Sequence, residues 1–123
     1  EAIKDYDKAI ELNPKHADAY SNRGLSKSNL GREEEAIKDY NKAIELSPKD
    51  SDIYYNRGNS KYNLDKEEEA IKDYDKAIEL NPKNANIYYN RGLSKSNLGR
   101  EEEAIKDHNK AIGLNPAIDE NYN

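Results

Sequence analysis

Glu33-Glu34-Glu35-Ala36-Ile37-Lys38-Asp39-Tyr40-Asn41-Lys42-Ala43-Ile44-Glu45-Leu46-Ser47-Pro48 returns with few changes at residues 67–82 and 101–116, and its last fourteen positions open the chain at residues 1–14. At about 100° per residue, Ala36, Ile37, Tyr40, Ala43 and Ile44 collect on one side, so the stretch reads as an amphipathic helix. Three glutamates suit its N-terminus, where the helix dipole favours negative charge, and the proline marks its end. Working outward, Pro14, Pro48, Pro82 and Pro116 stand 34 residues apart, and everything between them recurs in register. A fixed period of this length is the signature of a repeat array.

The units are residues 17–50, 51–84 and 85–118. Residues 1–16 are the second half of a preceding unit, and residues 119–123 open a following one, so the array is expected to continue in both directions. The first and third units agree at 26 of 34 positions, which points to recent duplication. Each unit begins with a second helical stretch. In the first it runs from Ala17 to Leu30 and closes at Gly31, a residue suited to a left-handed helix end. Asp65 stands in for that glycine in the second unit, a position it tolerates at some cost.

Composition agrees with a thin, repeated core rather than a thick one. Only 34% of the residues are hydrophobic, 37% are charged, and the mean hydropathy is -1.25. Phe, Trp, Met and Cys are absent, so ten Tyr must supply the bulk, with Ile, Leu and Ala. Ala19, Tyr20, Gly24, Ser26 and Leu30 share a face of the first helix of a unit (helix A). That face packs on the apolar face of the second (helix B), with Gly24 allowing close approach. One unit cannot bury its stripe alone, and stacking is required. The fold expected is an all-α, right-handed solenoid of antiparallel helix pairs with seven helices.

These residues resemble the tetratricopeptide repeat family along the entire chain. The pattern is carried by Tyr20, Gly24, Ala36, Tyr40, Ala43 and Pro48 in the first unit and by Tyr54, Gly58, Ala70, Tyr74, Ala77 and Pro82 in the second. The third has Tyr88, Gly92, Ala104, Ala111 and Pro116. Two positions depart from it. The family's Leu before Gly is Arg23, Arg57 and Arg91, and its next aromatic is Lys27, Lys61 and Lys95. An arginine on a packing face needs a carboxylate. Asp39, Asp73 and Asp107 recur beside these arginines, and three Arg–Asp pairs between helices A and B are expected. The competing reading lays each Arg stem along the groove with its head in water. The lysines are expected to snorkel.

The resemblance implies that the opposite side of helix A lines a concave, partner-binding groove. There Asn22, Asn56 and Asn90 form a row, one per unit, each offering a donor and an acceptor as a peptide backbone group requires. The resemblance implies that such an asparagine ladder grips peptide backbone with broad sequence tolerance. Asn59 lies on the same side, and Tyr55, Tyr62 and Tyr89 add rigid contact area or pack between repeats. Asn29, Asn63 and Asn97 read as solvated turn residues. The family's cationic clamp for chaperone tails is not matched, because Ser21, Leu25, Asn86 and Asn90 occupy four of its five positions.

Other classes find less support. With 25 acidic against 20 basic residues the net charge is -5, against phosphate-tracking surfaces, so nucleic acid is not an expected partner. No apolar run approaches the roughly 18 residues of a membrane span, and no membrane partner is expected. No nucleophile–base pair, carboxylate cleft or metal-ligand set is evident, so neither catalysis, a metal nor a cofactor is expected. His16 falls in a loop, and His108 replaces a core Tyr. Compartment stays open, with the cytoplasm favoured. The expected role is a protein- or peptide-binding scaffold. The alternative is a structural spacer, or an array that self-associates end to end through uncapped terminal repeats, with Gly113 weakening the last helix.

Overall fold

The computed structural model describes residues 2–120. Helix α1 spans Ala2–Leu12, α2 Ala17–Asn29, α3 Glu33–Leu46, α4 Ser51–Asn63, α5 Glu67–Leu80, α6 Ala85–Asn97 and α7 Glu101–Leu114, and a short α8 covers Ala117–Glu120. Three antiparallel hairpins, α2–α3, α4–α5 and α6–α7, stack in chain order behind α1. Each A helix packs on its own B helix and on the B helix before it, which makes a right-handed α-solenoid with a thin continuous seam.

Local chemistry sets the boundaries. At the end of α2 the N–H of Gly31 bonds Ser28 O and that of Arg32 bonds Lys27 O, a paired closure that requires a left-handed residue. Gly31 takes φ 78° and Gly99 φ 79°, while Asp65 makes the same turn at φ 62°. At the opposite ends, Asp50 and Asn84 cap α4 and α6 by accepting from the backbone N–H of Asp52 and Asn86.

The last turn departs from the repeat. Ala117 and Ile118 stand where earlier units have Lys followed by His, Asp or Asn, and α8 begins directly after Pro116, while the Asn115 side chain accepts from the Ala117 N–H as Asn13 and Asn81 do from Lys15 and Lys83. Ile118 is thereby buried against Ala85, Tyr88 and Ala111. Part of the final seam expected to lie open is covered by the chain itself. Residues 121–123 of the expected further unit lie outside the described residues.

The core recurs with the sequence. Ala36, Tyr40 and Ala43 close over Ile53, and Ala70, Tyr74 and Ala77 over Ile87. A Cβ on Gly24 or Gly58 would stand 2.8 Å from the ring of Tyr40 or Tyr74, so only glycine lets that ring lie against helix A. In the third hairpin His108 replaces the ring, and Gly92 faces the backbone oxygen of Ala104 and the Cβ of Asp107 instead. A pocket of about 230 Å³ opens there between α6 and α7, lined by Tyr89, Leu93, Ile105 and His108 among others.

Candidate functional site

The arginines and aspartates of the three units meet across each hairpin. Arg23 Nε and Nη2 donate to Asp39 at 2.9 and 2.7 Å, and Arg57–Asp73 and Arg91–Asp107 repeat the same two-pronged geometry. Each remaining Nη1 reaches the preceding B helix, donating to Asp7, Asn41 and Asp75 in turn. Each guanidinium also lies 5.6 to 5.7 Å from the ring centre of Tyr20, Tyr54 or Tyr88. Every arginine therefore joins three helices. Its hydrogen bond with Asp39 leads the interactions that hold Arg23 protonated well beyond the usual arginine range.

Two sets of residues behave differently from their sequence reading. Lys27, Lys61 and Lys95 do not snorkel: their side chains are only 12 to 15% exposed and approach Asp39, Asp73 and Asp107 at 3.1 to 3.3 Å. Each buried carboxylate thus serves two cations. Asn63 and Asn97, read as solvated turn residues, donate back one repeat to Glu33 and Glu67 at 2.8 and 3.2 Å. Nothing in one unit taken alone announces these bonds, since their partners lie 30 residues away.

The row of asparagines is not uniform. Asn22 is exposed, while Asn56 and Asn90 are half-buried. Among the described residues the amides of Asn22 and Asn56 make no side-chain hydrogen bond. Asn90 Nδ2 donates to Tyr55 Oη at 2.9 Å and to Asn59 Oδ1 at 3.0 Å, and Tyr74 Oη donates to the same Asn59 oxygen at 2.6 Å. The reason lies in the preceding unit. The two partners of Asn90 are Tyr55 and Asn59; the equivalent positions before Asn56 hold Ser21 and Leu25, which reach it with neither group. Burial pushes the hydroxyls of Tyr74 and Tyr55 above the ordinary phenol range, so both stay protonated, Tyr74 donating to Asn59 and Tyr55 accepting from Asn90.

The tyrosines assigned to the groove divide their surfaces. Tyr55 leans on Tyr74 with ring centres 6.1 Å apart, Tyr62 packs along the same cluster, and Tyr89 lies 6.3 Å from His108. Asn59, Tyr62, Asn63, Asn90 and Leu93 enclose a concave pocket of about 300 Å³ between α4 and α6. Among the described residues no group of three or more potential ligands gathers to hold a metal ion, and no helix is long and apolar enough to cross a membrane.

Comparison with known proteins extends this picture. Family models described as tetratricopeptide repeat match residues 51–84 and 73–106, and one described as TPR repeat matches residues 1–31 and 29–65. No curated protein matches. Among solved structures, a crystal structure of MamA superposes with a TM-score of 0.88 at 27% identity, covering 93% of this chain and 67% of that one. The Arabidopsis OM64 TPR domain gives 0.81 at 27% identity, covering 82% and 84%. MamA from Desulfovibrio magneticus RS-1, at 20% identity and a TM-score of 0.86, shares the fold over 94% of this chain and 65% of its own. The chain thus spans about two thirds of the length of the MamA proteins.

Proposed function

The chain belongs to the tetratricopeptide repeat family, a scaffold for protein interactions, and from that premise we propose that its concave face holds an extended peptide through Asn22, Asn56 and Asn90. The observation that carries this reading is the unspent hydrogen-bonding capacity of Asn22 and Asn56 beside Ser28, Asn59, Asn63 and Asn90, whose side chains are all hydrogen-bonded within the protein. An Asn amide both donates and accepts, which matches one peptide unit of an extended strand. Tyr55, Tyr62 and Tyr89 are already half-fixed by packing, so contact with them costs little side-chain entropy. The arginine–aspartate pairs stand behind the face as the frame that spaces its rungs.

The test is an Asn22/Asn56/Asn90 triple Ala variant, probed with peptides that the parent chain retains from a random library. Loss of binding with an unchanged helical spectrum is the expected result. Undiminished binding removes the ladder.

A second reading, end-to-end stacking of arrays, is favoured by one residue. Ile105 is 57% exposed, whereas its equivalent Ile71 is 7% exposed beneath the next hairpin. Light scattering over a wide concentration range tests it: a constant monomer mass removes this reading.

A further inference from the structure

The second unit breaks the repeat in the groove. Where the first and third units carry Leu25 and Leu93, it has Asn59; where they carry Ser28 and Ser96, it has Tyr62. These two residues lie one turn apart on α4 and belong to the 300 Å³ pocket completed by Asn63, Asn90 and Leu93. We propose that this pocket receives a carboxamide side chain, glutamine or asparagine, from the bound peptide and thereby fixes the peptide's register; the proposal rests on the groove reading above.

The hydrogen-bond inventory selects the ligand. An Asn amide has two N–H donors and one oxygen with two acceptor sites. Asn90 commits both donors, to Tyr55 and Asn59, and keeps only its oxygen to offer. Asn59 commits its oxygen twice, to Asn90 and Tyr74, and its amide also meets the Tyr55 hydroxyl, which leaves one N–H to offer. The wall therefore presents one acceptor beside one donor, on two side chains held in place by their own hydrogen bonds. A carboxamide is the complement: its N–H reaches Asn90 Oδ1 while its oxygen accepts from Asn59 Nδ2. A carboxylate has no hydrogen for Asn90, and an ammonium has no acceptor for Asn59. Either charge would also lose hydration against a lining with no charged side chain, which is costly. The methylene stem of the ligand packs on the Tyr62 ring and Leu93.

The same geometry makes the third rung unlike the first two. Asn22 and Asn56 keep both functions for the backbone, while Asn90 acts only as an acceptor. Backbone grip at the start of the groove and side-chain selection between α4 and α6 are therefore separable.

The experiment uses a random dodecapeptide library and two forms of the chain, the parent and an Asn59→Leu/Tyr62→Ser double variant. Both replacements already occur at the equivalent positions of the other two units, so the fold accommodates them, and a thermal melt checks this. The parent is expected to enrich Gln or Asn about fivefold or more at a single position, the worth of roughly one net hydrogen bond. The double variant is expected to lose that enrichment while still retaining peptide through Asn22 and Asn56, the total falling by the share that contact with Tyr62 supplies. Enrichment absent in the parent, or unchanged in the double variant, overturns the proposal and leaves the groove reading standing. A parent chain that retains no peptide at all overturns both.

Discussion

The seam between the first and second units and the seam between the second and third share one frame and differ in their filling. In both, a glycine admits a tyrosine ring, and a two-pronged Arg–Asp pair with a flanking lysine locks the hairpin. At the second seam the Tyr74 hydroxyl ends on Asn59 and continues to Asn90. At the first, Leu25 replaces Asn59, and the buried Tyr40 hydroxyl has no partner. Two changes on α4, Asn59 and Tyr62 where α2 has Leu25 and Ser28, thus alter the hydrogen bonding of the seam within the same Arg–Asp frame. The frame holds the array together, and the filling decides which of Asn56 and Asn90 is hydrogen-bonded to its neighbours.

The largest effect tests whether the frame is shared. Asp39→Ala and Asp73→Ala each remove the buried carboxylate shared by an arginine and a lysine, leaving Arg23 only Asp7 and Arg57 only Asn41, and by analogy with broken buried pairs each is expected to cost about 3 kcal/mol, measured by urea denaturation. A difference of more than about 1 kcal/mol, beyond what the exposed Asp7 contact supplies, would break the equivalence of the seams. Next, Gly24→Ala and Gly58→Ala push a Cβ against a buried ring and are expected to cost about 2 kcal/mol. Gly92→Ala is expected to cost less. No ring lies there, and alanine recovers helix propensity of about 1 kcal/mol, although the Ala104 oxygen at 3.2 Å still crowds it.

Smaller effects separate the fillings. Asn59→Leu leaves the Tyr74 hydroxyl without a partner and is expected to cost about 1 kcal/mol, whereas Leu25→Asn, which supplies one to Tyr40, is expected to be neutral or stabilising. Gly113→Ala, on the exposed face of α7, is expected to stabilise by up to about 1 kcal/mol, read as a rise in Tm.

The frame was legible in the sequence because it depends on local pattern. Pro spacing gave the period, Gly31 and Gly99 the turns, and an arginine on a packing face called for its aspartate. What escaped depends on neighbours a full repeat away. Lys27 and its copies read as snorkelling residues, whereas each shares the buried carboxylate with the arginine. Asn63 and Asn97 read as solvated because they precede Leu-Asp and Leu-Gly at a helix end, and their partners Glu33 and Glu67 lie 30 residues away. The unequal rungs follow from Ser21 and Leu25 against Tyr55 and Asn59, differences visible in the chain but without meaning until α4 and α6 lie side by side. The early start of α8 has its signal in Ala117 and Ile118, an apolar pair replacing a charged or amide one.

The central claim, that the concave face holds a peptide, is tested most directly by nuclear magnetic resonance. A library-selected peptide is titrated into the isotope-labelled chain, and perturbations are assigned along both faces. The account predicts shifts at the side-chain amides of Asn22 and Asn56 and along α2, α4 and α6, with Lys38, Lys72 and Lys106 on the B helices unmoved. Shifts confined to those lysines, with the asparagine amides unchanged, would contradict it.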